Sequence, residues 1–359
     1  ETPMGRKHTV KFEPVDLEME VDEDETILDA AFRQGIMLMH GCREGQCSAC
    51  KSFVIDGEVD MDKYSTFALP DFEEAEGFTL LCKAHAVSDL EIELINFDED
   101  ALRDALPLVT TEAEVAEIER LTPDIFRLAL ALPDDKLAFH PGQYVDIQMP
   151  EEGVKHRSFS MCNTLGEGGR LEFMIKLYPD AYFAGMLDRA QAAGGGGANG
   201  KPALALGDKL TVVGPYGAFT LRESTRKLVF IGGGAGMAPI FSLVTSMVEK
   251  QIDRESVFYY GARTEGDLFH VEQITALAEQ LPNFRFVPVL SNCAEDDTSW
   301  TGERGMVTDV VDRLEGGLVD VDAYLCGPPP MVDAAIALLD RHSVPADQIH
   351  FDKFTTTTD

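Results

Sequence analysis

Four cysteines constrain this chain more than any other feature. Cys42, Cys47 and Cys50 have the spacing C-x4-C-x2-C, and 31 residues separate Cys50 from Cys82. A loop carrying three thiols this close must turn sharply, and Gly41 and Gly45 give its backbone room to do so. Three thiolates from one loop and a fourth from further along are the donor set of a [2Fe–2S] cluster, which takes two per iron. A zinc ribbon needs paired C-x2-C motifs, and only one is present. Arg43 and the loop N–H groups are suited to offset the cluster's negative charge. The competing reading is a set of buried thiols without a ligand.

The length of 359 residues predicts two or three domains. At 45% hydrophobic the chain is globular despite a net charge of −33. Against 63 acidic residues stand 30 basic ones. That balance excludes nucleic acid as a partner, because neutralising phosphates needs a Lys/Arg surplus. It equally opposes binding to an anionic membrane surface. No apolar run approaches the roughly 18 residues of a membrane span. The opening ETPMGRKHTVKFEP has no apolar h-region, so no signal peptide is expected, and Glu1 to Pro3 ahead of Met4 are left out of fold reasoning. A cytoplasmic monomer is expected, whose seven cysteines are ligands, catalytic groups or buried thiols rather than disulfides. The charge is uneven: residues 1–105 carry 26 acidic and 9 basic side chains, the other 254 carry 37 and 21. Either solvation or a partner of the first third accounts for this crowding.

Residues 8–21 alternate about a Pro14–Asp16 turn and predict a β-hairpin. Residues 26–34 predict a helix, capped by Thr26 with Asp29 and stopped at Gly35. KSFVIDGEV, TLLCKA and LEIELINF supply further strands, which makes a small α+β domain over 4–98. The charged stretch with Pro107 predicts a linker over 99–112. Six short strands between turn signals then predict an antiparallel β-barrel over 113–223, with the glycine run Gly194–Gly197 as a surface loop. From 224 to 359 strands alternate with helices, the pattern of an α/β parallel sheet.

HGCREGQCSAC with the later LLC is similar to plant-type ferredoxins over about residues 4–98, which implies a β-grasp fold and a cluster held by Cys42, Cys47, Cys50 and Cys82. PGQYVDI followed by HRSFS is similar to the FAD-binding barrel of ferredoxin-NADP reductase-like proteins. Arg157 carries a guanidinium suited to a pyrophosphate. The resemblance places Tyr144, Arg157, Ser158, Phe159 and Ser160 at FAD, with the Phe159 ring on the isoalloxazine and the Ser160 hydroxyl near N5. FMIKLY matches the family strand whose backbone meets the flavin, which brings in Ile175 and Lys176, the latter as ligand contact or solvated residue. Ala184 stands where the family has a hydroxyl, so the backbone N–H groups of Ala184, Gly185 and Met186 are left to meet the pyrophosphate.

Strand KLVFI runs into GGGAGMAP, whose Gly232, Gly233, Gly234 and Gly236 let a pyrophosphate approach the backbone. LCGPPPM is a second signature of the family and implies Cys326 beside the nicotinamide, with Gly327 and Pro328. Arg263 in YYGAR is placed to meet the adenosine ribose, and Glu272, Gln273 and Ile274 offer no positive charge for a 2′-phosphate, which favours NADH. FDKF resembles the family's acidic-aromatic ending, with Asp352 as the acid and Phe354 shielding the flavin. Ser160, Cys326 and Asp352 are therefore the expected catalytic residues.

The whole chain resembles the reductase components of soluble di-iron monooxygenases acting on phenol, propane, toluene or methane. That resemblance implies electron flow from NADH through FAD and the [2Fe–2S] cluster to a separate hydroxylase component, docked on the acidic ferredoxin face. A reductase for a Rieske dioxygenase and a non-catalytic electron carrier are the other readings.

Overall fold

The computed structural model describes residues 6–97, 102–133, 137–148, 156–166, 169–179, 181–191, 202–294 and 298–354. The glycine run expected as a surface loop lies outside them, as does the start of the expected linker. The chain divides into two compact units, Glu1–Leu108 with Tyr216–Ala218, and Val109–Pro215 with Phe219–Asp359.

In the first unit, β1 (Lys7–Glu13) and β2 (Leu17–Asp22) form the expected hairpin, from Lys7↔Asp22 to Phe12↔Leu17. Their alternation sends Val10, Phe12, Met19 and Val21 into the core. The helix Ile27–Arg33 starts where the Thr26 hydroxyl accepts the Asp29 N–H at 3.1 Å and stops at Gly35, whose φ of 76° favours glycine. It buries Ile27, Leu28, Ala30, Ala31 and Phe32. The strands β3 (Lys51–Asp56), β4 (Val59–Met61), β5 (Phe78–Leu80), β6 (Ala84–Ala86) and β7 (Leu90–Leu94) follow. The sheet order is β2-β1-β7-β3-β5, with β1 and β7 parallel, and β4 pairs with β6 apart from it. One helix with a mixed five-stranded sheet is the expected β-grasp. TLLCKA, expected as one strand, is broken by a turn over 81–83. The Leu81 N–H reaches the Cys50 carbonyl at 3.2 Å, so Cys82 leaves the strand at the height of the cysteine loop. A helix over Asp71–Glu76 was not expected. It buries no residue and therefore writes no apolar period into the sequence.

The second unit opens with β8 (Val109–Thr122), so the strand starts inside the stretch expected as linker. The partners of Val109 to Ala113 lie on β13, and no local signal announces them. β9 (Ile125–Ala131), β10 (Tyr144–Gln148), β11 (His156–Ser160), β12 (Arg170–Lys176) and β13 (Lys209–Tyr216) complete a six-stranded sheet of order β11-β10-β13-β8-β9-β12. A bridge between Met161 and Phe173 joins the two edges into a barrel around Phe126, Leu128, Val145, Ile147 and Phe173.

Six parallel strands follow: β14 (Lys227–Gly233), β15 (Ser256–Ala262), β16 (Phe284–Leu290), β17 (Glu303–Arg304), β18 (Val321–Gly327) and β19 (Ile349–Lys353), in the order β17-β16-β15-β14-β18-β19. β15 lies on one side of β14 and β18 on the other, so the order reverses there, and such switch points leave a crevice at the carboxyl ends of the strands. Ile125, Cys162 and Met174 of the barrel share one core with Leu228, Phe230 and Phe258 of the parallel sheet and Ile240 of the helix Met237–Glu249. This shared apolar core makes one compact unit of what the sequence suggests as two domains. Among the described residues no helix is long and apolar enough to cross a membrane.

Candidate redox sites

The cysteine loop is built by hydrogen bonds to sulfur. The N–H groups of Glu44 and Gln46 point at Cys42 Sγ at 3.4 and 3.2 Å, and the Cys42 N–H points at Cys47 Sγ at 3.2 Å. A Cβ on Gly41 would stand 2.9 Å from Cys47 Sγ, and one on Gly45, at φ +66°, would stand 2.8 Å from Tyr64 Cβ. Both glycines are therefore required by close approach. The thiols fall into two pairs: Cys42 hydrogen-bonds with Cys47, and Cys50 with Cys82. The bond from Cys47 and the loop N–H groups lower the Cys42 thiol to about 6 against the opposing effect of burial. Its partner Cys47, which keeps the proton, is pushed up, and so is Cys82 by Cys50 and burial. Among the described residues no group of three or more His, Cys, Asp or Glu is arranged to hold a single metal ion. Two thiol pairs ringed by N–H donors fit a two-iron cluster better than one mononuclear ion. The Arg43 guanidinium lies over the Tyr216 ring, 4.3 Å from its centroid, and 4.0 Å from Asp29, so it is engaged by neighbours besides any cluster.

In the second unit, residues far apart in the chain converge at the carboxyl end of β14. Gly232 pairs with Cys326 in register, and Cys326 with Asp352. Ser160, at the end of β11, donates from Oγ to Asp352 Oδ2 at 3.3 Å. The three expected catalytic residues are thus brought together. Ser160 is 7% exposed and Cys326 fully buried. Burial, then the Asp352 carboxylate, pushes the Cys326 thiol well above its ordinary value, so it carries its proton.

The glycine turn and the β18 turn are pressed together. A Cβ on Gly236 would lie 2.1 Å from the Cys326 carbonyl oxygen, and one on Gly327, at φ +143°, 2.7 Å from the Gly233 oxygen. A Cβ on Gly234 would meet only Lys176 Nζ, at 3.9 Å. The turn therefore presents bare backbone to the crevice with an ammonium beside it, a cradle fit for a pyrophosphate. Lys176 is held there by Asp124 at 3.0 Å, which places it at the turn rather than in bulk solvent. Pro328 caps the helix Pro329–Arg341, and the Phe354 N–H donates to the Gly327 carbonyl at 3.0 Å. Arg263 is exposed and 3.4 Å from Asp267.

On the barrel, Tyr144 is buried opposite Ser160 in register. The Ser158 hydroxyl donates to Asp146 at 2.6 Å, and Arg157 Nη1 to the His156 carbonyl at 3.1 Å. Phe159 packs against Phe173 and Phe183, so the barrel core takes part of the ring expected to face the isoalloxazine. Ile175 is buried on β12, an edge strand of the sheet. Ala184, Gly185 and Met186 lie in the helix Tyr182–Gln191. The Gly185 N–H already donates to the Ala181 carbonyl at 2.9 Å, and Met186 stands beyond the end whose N–H groups lack helical partners. Of those three amides, Ala184 alone keeps a place among the terminal donors. Asp124, Asp146 and the Tyr260 hydroxyl, which donates to the Gly234 carbonyl at 3.2 Å, escaped the sequence reading. Asp146 lies within PGQYVDI and Tyr260 within YYGAR, but neither motif gives them a role; Asp124 sits at no motif, and only the fold brings the three to the site.

Three families match the chain in the same order: the 2Fe-2S iron-sulfur cluster binding domain at residues 10–87, the oxidoreductase FAD-binding domain at 112–221, and the oxidoreductase NAD-binding domain at 230–336. The propane 2-monooxygenase reductase component of Mycolicibacterium smegmatis is 49% identical over 98% of this chain and 99% of its own length. The phenol 2-monooxygenase reductase component of Pseudomonas sp. strain CF600 is 36% identical over 98% and 96%. Among solved structures, the Amycolatopsis cytochrome P450 reductase superposes with a TM-score of 0.80 at 31% identity, over 97% of this chain and 99% of that one. The ferredoxin reductase of carbazole 1,9a-dioxygenase gives 0.72 at 29%, over 98% and 99%.

Proposed function

We propose a role for this chain from the premise that it belongs to the family of monooxygenase reductase components that join a [2Fe–2S] domain to FAD- and NAD-binding domains. It oxidises NADH and delivers the electrons to the hydroxylase component of a di-iron monooxygenase. The single observation that carries the reading is the convergence of Ser160, Cys326 and Asp352 at the carboxyl end of β14 in a chain that also holds the two thiol pairs. FAD, when bound, supplies the conversion between the electron pair of NADH and the single electrons a [2Fe–2S] cluster accepts.

The chain's own residues do the positioning. The bare turn over Gly232–Gly236 with Lys176 receives the NADH pyrophosphate. Cys326, buried and protonated, would offer the nicotinamide a neutral group. Ser160 holds its hydroxyl proton toward Asp352 and fixes that carboxylate. Phe354, tied to Gly327, would shield a bound flavin. Arg157 and the Ala184 amide meet the FAD pyrophosphate, and Cys42, Cys47, Cys50 and Cys82 ligate the cluster. The acidic surroundings of Arg263 favour NADH over NADPH.

The monooxygenase reading stands above the dioxygenase one because the relatives at 49% and 36% identity serve monooxygenases, whereas the dioxygenase reductase is 29% identical. Purified protein should show flavin and [2Fe–2S] absorption and reduce cytochrome c with NADH. Cys42→Ser should abolish cytochrome c reduction and spare NADH–ferricyanide activity. Absence of iron, or cytochrome c reduction that survives the substitution, overturns the assignment.

A further inference from the structure

The segment between β4 and β5 carries two phenylalanines that the fold does not use. Phe67 is 95% exposed and Phe72 is 64% exposed. Their neighbours Ala68 and Leu69 are completely buried. The Ala68 and Leu69 N–H groups both reach the Ser65 carbonyl, at 2.8 and 3.2 Å, and the Phe67 N–H reaches Ser65 Oγ at 3.3 Å. The backbone beneath Phe67 is therefore pinned, and its ring is held outward. A pinned and exposed aromatic forgoes the burial its ring could make, which a fold-only role does not explain.

The same segment is fastened to the cysteine loop. Ser48 Oγ donates to the Ala68 carbonyl at 2.9 Å, the Ser65 N–H donates to the Gly45 carbonyl at 3.0 Å, and Tyr64 packs where a Gly45 side chain would stand. The rim is acidic: residues 62–76 contain Asp62, Asp71, Glu73, Glu74 and Glu76 against Lys63. Lys51 meets Glu73 at 2.5 Å, Tyr64 hydrogen-bonds Glu74, and His85 meets Asp62 at 3.2 Å, while Asp71 and Glu76 are exposed.

We propose that Phe67 and Phe72 are the apolar anchors by which the cluster domain docks on the hydroxylase component, through an apolar socket on that partner rimmed by Lys and Arg. The inference rests on the reading of function above and adds to it the residues that make the contact. Exposed aromatics beside a redox loop give the close, water-excluding approach that electron transfer needs, and aromatic anchors carry interface energy out of proportion to their number. The carboxylates steer encounter with a basic surface and set its salt dependence.

The test is steady-state electron delivery from NADH to the purified hydroxylase component of the cognate monooxygenase, using the full-length holoprotein. Phe67→Ala and Phe72→Ala should each raise the KM for the hydroxylase about tenfold, with kcat at saturation within twofold. Flavin-to-cluster electron transfer, followed by stopped flow, and the cluster spectrum should not change. Asp71→Asn with Glu76→Gln should flatten the salt dependence of the same KM. An unchanged KM in both phenylalanine variants overturns the proposal. Slowed flavin-to-cluster transfer overturns it too, since the surface then serves the chain's own flavin. So does a wild-type dimer that Phe67→Ala converts to monomer, since the occupant is then a second copy. Phe67→Ser repeats the experiment should the alanine variant fold poorly. A wild type that reduces cytochrome c but never the hydroxylase overturns the partner itself, and this inference falls with it.

Discussion

Ser160 Oγ donates to Asp352 Oδ2 at 3.3 Å and ties the end of β11 to β19 across 192 residues of sequence. Asp352 is paired in register with Cys326, which in turn is paired with Gly232 at the mouth of the glycine turn. One hydrogen bond therefore links the barrel to three strands of the parallel sheet, at the place where we propose that nicotinamide meets flavin.

Removing that hydroxyl tests its part in turnover. Ser160→Ala should lower kcat for NADH–ferricyanide reduction about 10²-fold, the usual loss for one positioned donor in a site that excludes water. Ser160→Thr, which keeps a hydroxyl, should restore most of it. The [2Fe–2S] spectrum serves as the control and should not move. A kcat for Ser160→Ala within threefold of wild type assigns the serine to packing alone.

The interlocked turns make a second prediction. A Cβ at Gly236 meets the Cys326 carbonyl oxygen at 2.1 Å, its nearest neighbours being the Cys326–Gly327 backbone, with no flexible side chain to yield. Gly236→Ala should destabilise the second unit by about 1–3 kcal/mol, the usual range for overpacking, and raise the KM for NADH. Gly266→Ala, whose nearest contact is the Thr264 hydroxyl at 3.8 Å, should leave both unchanged. Thermal midpoints and NADH kinetics of the two variants decide the point, and equal behaviour counts against the close approach.

Glu315 gives a pH dependence whose sign is fixed. Burial pushes its carboxyl up, but hydrogen bonds from Lys227 Nζ and the Tyr259 hydroxyl, with the charges of Lys227 and Arg285, outweigh burial and hold it below its ordinary 4.5. A carboxyl depressed on folding contributes stability that is complete above 4.5 and is lost as pH falls through the lower folded value. Glu315→Gln should cost about 2 kcal/mol at neutral pH, the scale of a hydrogen bond to a charged group. It should also remove part of the acid limb of the stability curve. Urea midpoints between pH 3 and 7 read both effects, and an acid limb as steep in the variant as in the wild type would assign the loss to other groups.

Much of the molecule was legible because its signals are local. The Thr26–Asp29 cap, the Pro14–Asp16 hairpin and the apolar runs of β14, β15 and β18 each lie within a few residues and stand in the structure as expected. The helix over Asp71–Glu76 was not legible, because it buries nothing, and the start of β8 was not, because its partner lies some hundred residues on. The family resemblance directs the Gly185 amide to a phosphate, while its donation to Ala181 depends on where the helix begins.

The sequence by itself determined which chemical groups the chain possesses and in what order: four thiols in one loop and one return, a guanidinium strand, a glycine turn and a closing acid. Spacing fixes these, since a loop of nine residues and a strand of seven leave little freedom. The tertiary structure alone decided which of them meet. Ser160, Cys326 and Asp352 become neighbours only because the strand order reverses at β14 and the barrel shares a core with the sheet. The same holds for Phe67, an ordinary core residue by type. Burial of Ala68 and Leu69 and the bonds to Ser48 and Gly45 leave its ring on the outside, and no rule of composition contains that result.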